Sequence, residues 1–196
     1  MTSSRTAILI LAAGSSSRLG LPKQLLQLGD KSLLRRIAET ALELHPAEVV
    51  VVLGFESDRM KHELGDLAVK IVLNHRWQEG IASSIRSGVE SIPQTADAIL
   101  IALSDQPFIP ASHLSRLIVS CSREHPIAAT SYGTSPGVPA CFHRMVFPEL
   151  LALTGDSGAR GIIGKHIQET TAIPCAEASI DIDTVSDYRK FFPSDR

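Results

Sequence analysis

Two cations and a run of small, hydroxyl-bearing residues stand together near the start of the chain, in Leu9-Ile10-Leu11-Ala12-Ala13-Gly14-Ser15-Ser16-Ser17-Arg18-Leu19-Gly20-Leu21-Pro22-Lys23. Gly14 and Gly20 let backbone come close to a ligand. Loop amides and serine hydroxyls donate hydrogen bonds, and Arg18 and Lys23 add positive charge beside them. That combination suits an anion, above all a polyphosphate. Spacing removes two familiar phosphate loops. A Walker loop needs Gly-Lys before Ser or Thr, whereas Gly20 precedes Leu21 and Lys23 precedes Gln24. The dinucleotide fingerprint needs G-x-G-x-x-G, and Gly14 is followed by serines.

Carboxylates supply the second half of such chemistry. The pattern L-A-A-G-x-S-x-R-x-G-x-P-K resembles the signature loop of the nucleotidyltransferase superfamily, and the nucleotidyl transfer this implies brings an anionic acceptor against an α-phosphorus, so catalysis is mostly charge neutralisation and alignment. A hard divalent ion such as Mg²⁺ takes carboxylate oxygens and keeps several waters. Asp105 is the first candidate ligand and Asp183 the second, with Asp181 in reserve two positions earlier on the same strand face. Asp105 also reads as an N-cap or Asx turn, and Asp183 as a cap of a closing helix. Ser83 and Ser84 open a helix that either aims its amides at a phosphate or is simply capped by them. Asp156 to Arg160 can hold an anionic second substrate through Gly158 amides and Arg160, or Asp156 is an N-cap. Trp77 stacks on a ring or packs. His75 lies close to the small-residue helix; the other six histidines read as surface or cap.

These residues need a scaffold, and the pattern provides one. Aliphatic runs at 7–11, 48–53, 69–73, 98–103, 127–130, 140–142, 171–174 and 179–182 read as strands. Helical spacing covers a helix opened by Lys31-Ser32 and ended by His45-Pro46, then 58–64 with Asp58 as N-cap, 81–89, 110–121, 145–153, 162–167 and 186–191. Residues 24–30 read as irregular, and 133–139 as a Gly/Pro-rich loop. Ala98–Leu103 is the most continuous apolar strand and is therefore central, which puts Asp105 at the carboxyl edge of the sheet. Alternating strands and helices predict an α/β fold, doubly wound around a mainly parallel sheet, as one domain over residues 1–196.

Bulk properties exclude other classes. The chain has 196 residues, 44% hydrophobic but only 5% aromatic, so its core is aliphatic. A net charge of −2 argues against nucleic-acid or anionic-membrane partners, which want a basic excess. Cys121, Cys141 and Cys175 have neither zinc spacing nor an even count, and read as buried thiols in a reducing compartment. No apolar stretch approaches a membrane span or a signal core, which predicts a cytoplasmic protein.

Four blocks together resemble one family. They are Leu11 through Lys23, Trp77 through Gly88, Leu103-Ser104-Asp105-Gln106-Pro107-Phe108, and Gly155 through Arg160 with Asp181-Ile182-Asp183-Thr184. They look like the molybdenum-cofactor cytidylyltransferase branch of the MobA-like NTP transferase superfamily, over nearly the whole chain. The resemblance implies a Rossmann-like three-layer fold of the nucleotide-diphospho-sugar transferase type, with CTP as substrate and Mg²⁺ as cofactor. It implies transfer of CMP to molybdopterin phosphate, giving molybdopterin cytosine dinucleotide and pyrophosphate. The partners implied are these small molecules and a recipient molybdoenzyme or its chaperone. Carried over by position, Leu11, Ala12, Ala13, Gly14, Ser15, Arg18, Lys23, Ser83, Ser84 and Asp105 fall on the nucleotide side. Arg18, Lys23 and Asp105 are the catalytic set, Asp105 and Asp183 the metal ligands, and Gly137, Asp156, Gly158 and Arg160 the acceptor side. Ala12-Ala13-Gly14 resembles the cytidylyl loop; the guanylyl branch usually has Ala-Gly-Gly. Three positions depart from the family: Leu19 for Met, Ser104 for Ala, and Val138 for His between Gly137 and Pro139.

Two other readings stay open. NMP transfer to a sugar or polyol phosphate uses the same first loop. A non-catalytic nucleotide- or pterin-binding maturation factor does not need Arg18, Lys23, Asp105 and Asp183 together.

Overall fold

The structure is a computed structural model that describes residues 5–16, 22–132 and 135–179. Strand β1 (Thr6–Ala12) is buried along its whole length, as a strand between two neighbours and two helical layers must be. A 3-10 turn at Lys23–Leu25 and a short hairpin, β2 (Gln27–Leu28) with β3 (Lys31–Ser32), fill the stretch expected to be irregular. Helix α1 (Leu33–Leu42) starts at Ser32, whose hydroxyl accepts from Arg35 N at 3.2 Å. Then come β4 (Glu48–Leu53), α2 (Ser57–Leu64), β5 (Lys70–Leu73), α3 (Ile81–Ser91), β6 (Ala98–Leu103) and α4 (Ala111–Ser120). The remainder is β7 (Ile127–Tyr132), β8 (Ser135–His143), α5 (Phe147–Leu151), α6 (Ala159–Lys165) and β9 (Thr170–Pro174).

The main sheet has seven strands in the order β5-β4-β1-β6-β8-β7-β9. Every pairing in it is parallel except those made by β8, which runs against both neighbours. Alternation along β1 sorts the core into two layers. Ile8, Ile10 and Ala12 pack with α1, α2 and α4, while Ala7, Leu9 and Leu11 pack with α3, α5 and α6. The three-layer α/β architecture is the one expected. Among the described residues no helix is long and apolar enough to cross a membrane.

Several local expectations are corrected. Residues 135–139 are part of β8 rather than loop. Pro139 is tolerated because the β7–β8 register jumps from Ala129↔Ala140 to Thr130↔Gly137, which leaves Val138 and Pro139 unopposed. Glu56, not Asp58, is the N-cap of α2, and Asp58 instead pairs with Lys61 at 2.9 Å. The 145–153 helix is a 3-10 turn at Arg144–Val146 followed by α5. Gly158, not Asp156, caps α6. Ser179 closes a 3-10 turn that begins at Ala176 instead of starting a strand; the rest of that strand and the 186–191 helix lie outside the described residues. His113 is neither surface nor cap. It is fully buried, with Nε2 2.9 Å from Thr130 Oγ1 and Arg116 donating to Nδ1 at 3.2 Å. Burial pushes its pKa down, so the ring stays neutral.

Candidate active site

The cleft opens where the connections of the sheet diverge. From β1 the chain proceeds to β4 on one side, and β6 pairs with β1 on the other, so a crevice forms beyond their carboxyl ends. Its volume is about 340 Å³, within the range of small-molecule sites. Leu11, Ala13, Gly14 and Ser15 line it from the β1 side. Lys23, Ser84, Asp105 and Asp156 reach it from four other places in the sequence.

The loop after β1 has its carbonyls occupied and its amides open. The Leu11 carbonyl accepts from Ser104 N at 3.4 Å and Ser104 Oγ at 3.2 Å. The Ala13 carbonyl accepts from Phe55 N at 3.1 Å. Gln24 Nε2 donates to the Ala12 carbonyl at 3.3 Å and the Gly14 carbonyl at 2.9 Å. By contrast, the N–H groups of Gly14, Ser15 and Ser16 donate to no acceptor among the described residues. A loop polarised in this way attracts anions.

Lys23 brings a cation to the same place. Its ammonium donates to Asp105 Oδ2, with the two side chains 19% and 14% exposed. Asp105 stands two residues beyond the end of β6, so the pair bridges the β1 loop and the β6 loop. The other oxygen, Asp105 Oδ1, is buried and has no hydrogen-bond partner among the described residues.

The start of α3 forms the opposite wall. Gly80 is its N-cap, with φ +101°, and neither serine caps it. Ser83 is buried, accepts from Asn74 Nδ2 at 2.8 Å and donates to the Gly80 carbonyl at 2.8 Å, so it braces the turn and does not line the cleft. Ser84 does line the cleft and accepts from Asn74 Nδ2 at 3.0 Å. Trp77 packs edge-on against Phe55, 5.7 Å between centroids, and lines the cleft as well. Asp156 is held near by contact between loops. A Cβ on Gly80 would lie 2.4 Å from the Gly155 carbonyl oxygen, which accepts from Ala82 N at 3.1 Å.

Gly158 and Arg160 line a smaller adjoining pocket of about 130 Å³, together with Leu11, Leu103 and Val138. The Arg160 guanidinium donates to Ser135 Oγ. Gly137 lines neither cavity; a Cβ there would stand 2.8 Å from Tyr132 Oη. Ala12 turns away into the core on the opposite sheet face. Arg18, Asp181 and Asp183 lie outside the described residues. Sequence reasoning missed Gln24 and Asn74, both buried amides whose partners are backbone or hydroxyl groups. Neither carries a periodic or charge signal.

The model of the MobA-like NTP transferase domain matches residues 8–170. The chain belongs to the MobA-like NTP transferase family. This is the superfamily to which the motif blocks pointed. The family member nicotine blue oxidoreductase from Paenarthrobacter nicotinovorans is 35% identical over 187 residues, which is 90% of this chain and 91% of that protein. The structure of the Rv0371c homologue from Mycobacterium sp. strain JC1 matches with TM-score 0.85 and 33% identity, covering 97% of this chain and 96% of that one. Rv0371c from Mycobacterium tuberculosis H37Rv, in a complex with manganese, matches with TM-score 0.81 and 25% identity over 97% of this chain and 99% of that one.

Among the described residues, the carboxylates that line the MobA-like cleft are Asp105 and Asp156, and carboxylate oxygens suit a hard cation. Asp105 Oδ1 is a buried carboxylate oxygen without a hydrogen-bond partner among the described residues, and Asp105 lines the same cleft as Gly14 and Ser15. Among the described residues no three His, Cys, Asp or Glu side chains gather to hold a metal unaided. An ion that keeps several waters and takes the rest from phosphate oxygens and one or two carboxylates fits that donor set.

Proposed function

We propose that the protein transfers CMP from CTP to the phosphate of molybdopterin, producing molybdopterin cytosine dinucleotide and pyrophosphate. The observation that carries this reading is the Lys23–Asp105 pair set against a loop whose carbonyls are engaged and whose amides are open. Ala12-Ala13-Gly14 supports CTP, through its resemblance to the cytidylyl loop.

In this mechanism the amides of Gly14, Ser15 and Ser16 hold the β- and γ-phosphates. Lys23 and Arg18 neutralise charge that grows on the departing pyrophosphate. A phosphate oxygen of the acceptor attacks the α-phosphorus in line; a new P–O bond forms as the bond to the bridging oxygen breaks. The attacking phosphate is already ionised, so no general base is required. Asp105 and Asp183 would hold Mg²⁺, which when bound supplies Lewis-acid neutralisation of the phosphate oxygens. Asp156, Gly158 and Arg160 form the acceptor side, with Arg160 offering a cation to an anionic group.

One observation favours a second reading, an oxidoreductase: the 35%-identical relative bears that name over nearly its full length. Pyrophosphate release with Mg²⁺ and each of the four NTPs, with and without molybdopterin, separates the two. CTP-selective, molybdopterin-dependent release is expected. Release with another NTP assigns a sister branch. No release, with redox turnover of nicotine blue when an electron donor or acceptor is supplied, establishes the second reading instead.

A further inference from the structure

We propose that Gln24 is a positioning residue for nucleotide binding: it makes the loop after β1 an anion cradle by holding that loop's carbonyls away from the phosphates. The inference rests on the nucleotidyltransferase reading of the cleft and adds to it a residue that touches no reacting atom.

Gln24 is 2% exposed and uses its side-chain amide at both ends. Nε2 donates to the Ala12 carbonyl at 3.3 Å and to the Gly14 carbonyl at 2.9 Å. Oε1 accepts from the Ser16 hydroxyl at 3.3 Å. That hydroxyl in turn accepts from Lys23 N at 3.1 Å. Ser16 sits at φ +52°, a left-handed conformation unfavourable for any residue with a Cβ, and such outliers persist where surroundings over-determine them. Here the surroundings are Gln24 and Lys23. One side chain therefore ties the strand end, the loop and the segment carrying the cation into a single unit.

The chemistry demands this amide in particular. The N–H groups of Gly14, Ser15 and Ser16 donate to no acceptor among the described residues, and they can serve an anion only while the carbonyls between them are satisfied elsewhere. A buried carbonyl without a donor is costly, and a peptide plane relieves that cost by rotating its oxygen toward water. The cleft borders this loop, so rotation in that direction would put carbonyl oxygens against phosphate oxygens. Glutamate keeps the shape but lacks donors, and methionine lacks both donor and acceptor.

The test measures binding of inorganic tripolyphosphate and of CTP, with Mg²⁺, to the full chain. Quenching of Trp77, the single tryptophan and a cleft-lining residue, reports occupancy. In Gln24→Met both ligands should bind about tenfold or more weakly, as loss of two carbonyl donors implies. At saturating CTP, turnover should stay within about threefold of wild type, because phosphate binding is lost equally from ground and transition states. Thr130→Val, which also deletes buried hydrogen bonds but far from the cleft, should lower the melting temperature and leave both affinities unchanged. If Gln24→Met fails to fold, Ser16→Gly keeps the left-handed backbone without the hydroxyl and should weaken tripolyphosphate by about threefold. Unchanged affinity in folded Gln24→Met, or in Ser16→Gly where the former does not fold, overturns the proposal. So does a collapse of turnover at unchanged affinity. Wild-type protein that binds neither ligand overturns the nucleotidyltransferase reading itself, whatever Gln24 does.

Discussion

Asp105→Asn separates the charge of the central carboxylate from its shape. The side chain is 14% exposed, and its Oδ2 holds a Lys23 ammonium that is itself 19% exposed. Breaking a fully buried ion pair costs about 3–5 kcal/mol, and an exposed one rarely more than about 1 kcal/mol. This pair lies between those limits, and the asparagine oxygen still accepts from Lys23. A destabilisation of about 1–2 kcal/mol follows. For a chain of this size that lowers the melting temperature by roughly 2–8 °C. A domain stable by about 5–15 kcal/mol stays essentially all folded after such a loss. Turnover should behave differently. Removing a charge that acts only while negative charge shifts along the phosphates costs on the order of 4 kcal/mol, or about a thousandfold. The assays are a thermal melt and CTP-dependent pyrophosphate release on the same preparation. Turnover within tenfold of wild type would refute the role given to Asp105. A melting temperature lowered by far more than the calculated range would show it to be chiefly structural.

Four further perturbations probe the scaffold. Gly80→Ala forces a Cβ onto φ +101° and to within 2.4 Å of the Gly155 oxygen; it should cost about 1–3 kcal/mol and raise KM, since the Asp156 loop must move. Gly88→Ala meets Leu9 Cδ1 at 2.3 Å in the core and should cost about as much, about 1–3 kcal/mol, while leaving KM unchanged; equal effects of the two on KM would dismiss the loop contact. His166 lies 3.1 Å from Glu169 and 2.7 Å from Glu149, and these acceptors raise its pKa from 6.5. Its contribution is full below pH 6.5 and lost as pH rises through the higher folded value, so melting temperature should fall there in wild type and not in His166→Asn. Asp66 is held at about 2 by its paired bonds to Arg35, against 3.8 ordinarily, so it stabilises above pH 3.8 and ceases to as pH falls toward 2. Asp66→Asn should flatten melting curves over that interval, and an unchanged acid profile would discard the link between α1 and the turn after α2.

Much of the architecture was legible because parallel strands buried on both faces leave uninterrupted aliphatic runs. Glu48–Leu53 and Ala98–Leu103 are such runs, and the observed strands β4 and β6 have those bounds. Strand β8 was not legible, because its identity depends on partners and not on its own composition. Pro136, Gly137 and Pro139 read as turn residues, yet β7 pairs with Pro136 and Gly137, β6 pairs with the strand from Ala140 onward, and the register jump absorbs Pro139. The cap of α2 failed for a related reason. Asp58 has cap chemistry, but the chain enters that helix through a left-handed Glu56, and the terminus falls two residues earlier.

The site divides along the same line. Residues that expose their chemistry, such as Lys23 and Asp105, were found from type and spacing, although they are far apart in sequence. Those that work by hiding polar groups were not. Gln24 and Asn74 look like ordinary polar residues in sequence, and their importance lies in the carbonyls and hydroxyls they satisfy. The distinction has a physical consequence for the cleft. Four successive carbonyls, from Leu11 to Gly14, are engaged by Ser104, Gln24 and Phe55, which come from three separate segments. An anion site built in this way needs no excess of positive charge, because each engaged carbonyl leaves the neighbouring amides as the outward pole. A protein of net charge −2 can therefore favour an anion beside this loop, where the ammonium of Lys23 is itself paired with Asp105.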